Sequence, residues 1–205
     1  MYIVCSDLEG VFTPEVWINV AQRTGIAELR LTTRDIADYD ELMRRRLAIL
    51  DRHGLKLPDI QAAIEAMPLL DGALEFLDWL REQAAVIIVS DTFTQFAAPL
   101  MRKLGRPALF CHTLEVAPDG RISAYRLRQA DAKRRTVEAL QSLNYRVIAM
   151  GDSYNDIPML EAAEHGILFR PPQNVVDEHP RFPVTTDYGA LKQRVEGILG
   201  TTEGG

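Results

Sequence analysis

Cysteine is scarce in this sequence: Cys5 and Cys111 are the only two among 205 residues. Two cysteines so far apart make neither a disulfide framework nor a metal-type spacing. Both sit in apolar strand-like runs, so they read as buried free thiols in a reducing compartment. No apolar stretch is long enough to span a membrane. There is no long basic run and the net charge is −6, so bulk electrostatics give no argument for a nucleic-acid partner. Internal repeats and low-complexity segments are lacking as well. A strand-like run starts at Tyr2, which leaves no room for a signal peptide ahead of it. The expectation is a soluble cytoplasmic protein.

What is present is a hydrophobic fraction of 47%, enough for one good core and a small second module. Three short apolar runs stand out. Tyr2-Ile3-Val4-Cys5 leads into Ser6-Asp7-Leu8-Glu9-Gly10-Val11, Val86-Ile87-Ile88-Val89 stops at Ser90-Asp91-Thr92, and Val147-Ile148-Ala149-Met150 stops at Gly151-Asp152-Ser153-Tyr154-Asn155-Asp156. Such runs read as parallel strands buried on both faces. In open α/β sheets ligands bind at the carboxyl ends of these strands. Neighbouring strands would bring Asp7, Ser90 and Asp152 to one crevice.

Between Pro14 and Leu70 the pattern is helical, with segments expected from Val16 to Gly25, Tyr39 to Arg52 and Leu57 to Met67. This block reads as a helical insertion at 14–70, placed inside a core made of 1–13 and 71–205. From Asp71 helices and strands alternate. Helices are expected at Ala73 to Gln83, Phe93 to Leu104, Lys133 to Leu143, Asn155 to Ala163 and Tyr188 to Leu199. Ala108 to Cys111 and Gly166 to Phe169 read as strands, and Leu114 to Tyr125 as a hairpin turning at Asp119-Gly120. Thr201 to Gly205 is expected to fray. The fold class is α/β: a Rossmann-like parallel sheet flanked by helices, with a small helical cap after the first strand.

Asp7 is a strand-end carboxylate able to attack phosphorus and form an aspartyl-phosphate; an Asp capping the next turn is an equal alternative. Glu9, two residues on, points to the same side and suits protonation of a leaving alkoxide, then deprotonation of a water. Carboxylates crowded with Asp152 repel unless a cation joins them. Oxygen ligands beside a phosphate favour Mg²⁺, held by the Asp7 side chain, the Glu9 backbone carbonyl and Asp152. Asp156, one helical turn on, is placed behind these ligands to steady them. Helix capping also accounts for Asp152 and Asp156. Ser90 offers a hydroxyl and Asp91 an amide N–H at a helix entry, where phosphate binds well, although a plain N-cap fits too. Lys133 is a cation at a helix start, where the macrodipole favours acids. That suits neutralising a phosphoryl oxygen, against the alternative of a solvated Lys133-Arg134-Arg135 face.

Taken together, these motifs resemble those of the haloacid dehalogenase superfamily. Asp7-Leu8-Glu9-Gly10-Val11 is similar to its first motif, Ser90-Asp91-Thr92 to its second, Lys133 to its third and Gly151 to Asp156 to its fourth. Within the superfamily the chain resembles phosphoserine phosphatases, most of all the bifunctional type that is also a homoserine phosphotransferase. Pro14-Glu15-Val16-Trp17 matches that type. Arg34-Asp35-Ile36-Ala37-Asp38-Tyr39-Asp40 matches it with one extra residue after the arginine. Glu9 stands where most of the superfamily has Asp, which puts the water-attack step in question.

The resemblance implies a Mg²⁺-dependent phosphatase for O-phosphoserine that works through an aspartyl-phosphate. It also implies homoserine as a second phosphoryl acceptor. Glu15 would take the substrate ammonium, Arg46 its carboxylate, and Asn155 a place near the phosphate. Spacing alone does not choose among Arg44, Arg45 and Arg46, and Glu15 could equally serve the dipole of its helix. Two other readings stand beside this one. One is a phosphatase for another small metabolite. The other is a non-catalytic phosphoacceptor module, against which Glu9 and the helical insertion speak. Small-molecule substrates are the expected partners, and a homodimer is left open.

Overall fold

Tyr2–Ser6 forms β1, and all five of its residues are buried. The alternation sends Tyr2 and Val4 into one apolar cluster and Ile3 and Cys5 into another. A strand apolar on both faces must lie inside a sheet covered on both sides. A computed structural model bears this out and describes residues 1–32, 35–36 and 38–200. The sheet has seven strands in the order β4-β3-β2-β1-β5-β6-β7. They are β2 (Ala85–Phe93), β3 (Ala108–Val116), β4 (Ile122–Arg126), β5 (Arg146–Gly151), β6 (His165–Phe169) and β7 (Val184–Thr185). Every pairing is parallel except that of β3 with β4.

Helices cover both faces. Those before the sheet's second strand are α1 (Val16–Thr24), α2 (Tyr39–Arg52), α3 (Leu57–Glu65) and α4 (Ala73–Gln83). After it come α5 (Thr94–Lys103), α6 (Ala132–Ser142), α7 (Ile157–Ala162), α8 (Gln173–Glu178) and α9 (Tyr188–Gly200). Apolar residues of α1 to α5 and α9 share one cluster, and those of α6, α7 and α8 share the other. Among the described residues of 14–70 there is no strand. Pro99, inside α5, has no N–H for the Gln95 carbonyl. Gln61 of α3 donates its Nε2–H to that carbonyl at 2.8 Å, so the break in one helix fastens a second. The hairpin also docks on this block, through Leu57 N–H to the Gly120 carbonyl at 2.9 Å.

Several expectations need correcting. β2 does not stop at Val89. It runs to Phe93, with a bulge between Val89, which pairs Phe110, and Phe93, which pairs His112. Ser90 and Asp91 therefore sit in a bulged strand, and α5 begins only at Thr94. The Ala108 and Leu114 segments are one continuous β3. Tyr154–Asp156 is a 3₁₀ turn ahead of the shorter α7. Cys111 is only half-buried, while Cys5 is buried as expected. A 3₁₀ turn at Ala27–Arg30, α8 and the two-residue β7 carried too few residues for a periodic signal. Arg34, Ala37 and Thr201 to Gly205 lie outside the described residues.

Candidate active site

β1 lies between β2 and β5, with Ser6 opposite both Ile88 and Met150. Asp7 N–H extends the ladder by one bond, to the Met150 carbonyl at 2.9 Å. The ends of the three strands are thereby level, and Asp7, Ser90 and Asp152 line one cavity of about 750 Å³. Every candidate residue from the sequence lines it except Asp156, which lies fully buried behind.

After Asp7 the chain turns back sharply. Gly10 N–H meets the Thr13 carbonyl at 2.8 Å, and Phe12 N–H meets the Leu8 carbonyl at 2.8 Å. Gly10 has φ of +76°, and a Cβ there would lie 2.3 Å from Asp152 Cγ. Both the turn and the close carboxylate require glycine. The same turn aims Glu9 at α1: Glu9 Oε2 accepts the Val16 N–H at 2.7 Å. It satisfies a free donor at that helix start, which the Glu15 side chain leaves alone. Burial, then the neighbouring Glu15 carboxylate, pushes the Glu9 carboxyl up to about 8.

Lys133 enters from the first turn of α6 and is 3% exposed, whereas Arg134 and Arg135 are exposed. The solvated-face reading fails for it. Its Nζ lies 2.7 Å from Asp156 Oδ1, 3.0 Å from Asp7 Oδ1 and 3.7 Å from Asp91 Oδ2. Burial pulls its pKa down, but Asp156, Asp7 and Asp91 outweigh burial and hold it well above the usual value.

Asp156 holds this end of the site in place. Its Oδ2 accepts N–H bonds from Asp152 at 3.0 Å and Ser153 at 3.1 Å. With Lys133 on Oδ1, both its oxygens are engaged. The side chain sits where a Cβ on Gly151 would be, 2.3 Å from Asp156 Cγ, so Gly151 makes room for it. Asp7, Asp152 and Asp156 each offer an oxygen, all within 4.8 Å of one another. Burial and then Asp156 raise the Asp7 carboxyl well above its ordinary range and carry Asp152 to about 7. Lys133 alone does not offset that crowding. A divalent cation would, and this oxygen-only donor set suits a hard one.

The opposite wall comes from the helical block. The Arg46 guanidinium stacks on Trp17, 4.4 Å from the ring centroid. Its Nη2 donates to the Leu31 carbonyl at 2.8 Å. Arg46 is buried and lines the cavity, while Arg44 and Arg45 are exposed and do not. The Arg46 Nε is a buried donor with no partner among the described residues, a costly arrangement unless a ligand completes it. Burial lowers the Arg46 pKa to about 10. At the strand-end side of the cavity, Asn155 Nδ2 donates to Asp91 Oδ2 at 3.0 Å. The Ser90 hydroxyl accepts the Thr92 N–H at 3.2 Å.

Some wall residues had no role in the sequence reading. Tyr39 donates its hydroxyl to the Asp91 carbonyl at 3.2 Å. It lay inside the quoted Asp38-Tyr39-Asp40 segment, so a signal existed. Trp17 and His112 also line the cavity. Nothing in the pattern around His112 distinguished it from an ordinary strand residue.

The model of the haloacid dehalogenase-like hydrolases matches residues 6–164. The chain belongs to that family. Phosphoserine phosphatase ThrH of Pseudomonas aeruginosa is 57% identical over 94% of each chain. A phosphoserine phosphatase of Pseudomonas syringae pv. tomato is 56% identical over 93% of this chain and 81% of its own. The fold is also that of a solved phospho-aspartyl intermediate analogue of phosphoserine phosphatase. That match has a TM-score of 0.76 at 20% identity and covers 95% of this chain and 97% of the other. Membership in a hydrolase family removes the reading as a non-catalytic module. Among the described residues no helix is long and apolar enough to cross a membrane.

Proposed function

We propose that this chain is a Mg²⁺-dependent phosphoserine phosphatase that works through an aspartyl-phosphate on Asp7 and also passes the phosphoryl group to homoserine. The observation that carries the reading is a pair of carboxyls lining one cavity and suited to different tasks. Asp7 faces Lys133 at 3.0 Å, and Glu9, raised to about 8, is largely protonated at neutral pH. The lysine beside Asp7 favours its anion as nucleophile, and a proton kept on Glu9 suits a general acid. The names of the two relatives support the substrate.

An Asp7 oxygen attacks phosphorus as the bond to the serine oxygen breaks, and Glu9 gives its proton to that oxygen. Glu9, now a carboxylate, takes a proton from water or from the homoserine hydroxyl. That oxygen attacks phosphorus, the bond to Asp7 breaks, and the Asp7 carboxylate returns. Lys133 offsets charge on the phosphoryl oxygens, and Ser90 and Asn155 hold the phosphate. Glu15 receives the ammonium, and the Arg46 Nε–H is turned to the carboxylate. The Asp7 side chain, the Glu9 carbonyl and Asp152 would hold Mg²⁺, with Asp156 steadying the loop. When bound, the ion supplies charge neutralisation at the crowded carboxylates and the phosphate. Residues 14–70 act as a cap over a core of 1–13 and 71–205, excluding bulk water.

Phosphorus NMR of the protein with O-phosphoserine tests this. Inorganic phosphate is expected only with Mg²⁺, and saturating homoserine diverts part of it to O-phosphohomoserine. Turnover in a chelator would refute the metal requirement. Phosphate as the sole product would refute the transferase half. Inertness toward O-phosphoserine, with another phosphomonoester consumed, would move the substrate elsewhere.

Two variants check the roles. Arg46→Ala is expected to raise KM for O-phosphoserine by roughly 10–100-fold, the size of a lost charge-assisted contact. The change for p-nitrophenyl phosphate, which has no carboxylate, should be small; equal losses would show that Arg46 does not read the amino-acid end. For Glu9 the protonated form is the active one, so kcat/KM for O-phosphoserine should fall as pH rises through about 8. In Glu9→Gln that alkaline fall disappears and the rate drops by about 10²–10⁴. p-Nitrophenyl phosphate, whose leaving group needs no proton, should suffer far less. An alkaline limb that persists in Glu9→Gln would assign it to another group.

A further inference from the structure

The reaction above gives no work to His112 or to the Asp91 side chain. Yet the bulge in β2 turns the Asp91 carboxylate into the cavity. An anion beside a phosphate site repels the substrate unless it performs a task. Its two oxygens face different groups. Oδ2 accepts from Asn155 Nδ2 at 3.0 Å and lies 3.7 Å from Lys133 Nζ. Oδ1 faces His112 Nε2 at 3.5 Å.

His112 comes from β3 and is 3% exposed. Its Nδ1 accepts the Arg128 N–H at 3.1 Å. A neutral ring with Nδ1 accepting carries its proton on Nε2, the atom turned to Asp91. Asn155 and Lys133 reach the phosphate from two separate segments, the loop after β5 and the start of α6, and the Asp91 carboxylate is the group that both face.

We propose that His112 is a positioning residue: its Nε2–H fixes the Asp91 carboxylate, and that carboxylate orients Asn155 and Lys133 toward the phosphoryl group. The proposal rests on the phosphomonoesterase reading of the site. The Asp91 carboxyl is held as an anion: burial pushes it up, but Lys133, His112 and Asn155 outweigh burial and keep it well below the usual range. Tyr39 fixes the same residue by its main chain, from the helical block.

Two replacements of His112 separate this role from plain packing. In His112→Gln the amide N–H₂ reaches the place of Nε2 and can donate to Asp91. In His112→Asn the shorter side chain keeps an acceptor for Arg128 N–H but offers Asp91 no donor. His112→Asn is expected to lose on the order of 10–100-fold in kcat/KM, the effect of one hydrogen bond to a charged group, while His112→Gln restores most of it. The loss should be the same for O-phosphoserine and p-nitrophenyl phosphate, because it lies at the phosphate end. Asp91→Asn, which leaves the His112 packing in place, should show a similar loss, and adding His112→Asn to it should cost little more. The proposal is overturned if His112→Asn equals or exceeds His112→Gln, if Asp91→Asn is as active as the native protein, or if the two losses multiply. Should the native protein turn over neither ester, the phosphatase reading fails. The same ranking is then read from affinity for inorganic phosphate by calorimetry, where equal affinities would overturn the positioning role.

Discussion

Asp7→Asn is expected to abolish turnover, by on the order of 10⁴-fold or more, while leaving the fold intact. The amide has the shape of the carboxyl but cannot supply the anionic oxygen that attacks phosphorus. Stability should move the other way. The Asp7 carboxyl is raised well above its ordinary value of 3.8 by burial and by Asp156. The folded state therefore binds the proton more tightly than the unfolded chain. Stability falls as pH climbs above the unfolded value, until the raised folded value is passed. Asparagine has no such proton to lose. In a chelator at neutral pH, Asp7→Asn should melt at the native temperature or above it. Substantial turnover by the folded variant, with deamidation excluded by mass, would end the covalent mechanism. A lower melting temperature in the chelator would show that the Asp7 charge is stabilising after all.

The second large effect is expected at Lys133. Its ammonium joins Asp7 and Asp156, both buried, at 3.0 and 2.7 Å. Breaking a buried pair by removing one partner costs about 3–5 kcal/mol, because the remaining charges stay desolvated. Lys133→Met should lose about that much stability at neutral pH, and roughly 10²–10³ in rate as a phosphoryl-facing cation disappears. The sign with pH follows from Lys133 being raised above its ordinary 10.5. Its stabilising contribution is fully present at neutral pH and fades only as pH rises through the alkaline range. In the variant, acid should help instead, since protonation neutralises Asp7, whose carboxyl is raised. Denaturant melts at pH 5 and 7.5 check this. A variant as stable as the native protein at both pH values would show that the triad is not held by charge.

Much of this site was readable because strand ends and helix faces obey simple periods. The β1, β2 and β5 runs are apolar on both faces, and their parallel pairing brings Asp7, Ser90 and Asp152 together. Spacing left Arg44, Arg45 and Arg46 open; with α2 formed, Arg46 lies on the buried face with Leu42, Met43, Ile49 and Leu50, three or four residues away. Thr136, Val137 and Leu140 place Lys133 in the same way.

The bulge at Ser90-Asp91-Thr92 had no such signal. The apolar run ends at Val89, and a polar segment that continues as strand looks like a loop. This hid the fact that the Asp91 side chain, beyond its amide, faces the cavity. His112 shares its strand face with buried Leu114, a pattern that predicts burial but says nothing about Asp91, a partner from another strand. The Arg46 Nε without a partner among the described residues and the raised Glu9 carboxyl depend on distances between elements, which periodicity does not encode.

The central claim is that Asp7 carries the phosphoryl group. Acid quenching of the protein during turnover of O-phosphoserine with Mg²⁺, followed by peptide mass mapping, tests it most directly. The account predicts a phosphoryl group on Asp7 in the peptide from Met1 to Arg23, accumulating within one turnover and absent from Asp7→Asn. Full turnover with that peptide unmodified at every time point, or with the label on Ser90 instead, would contradict it.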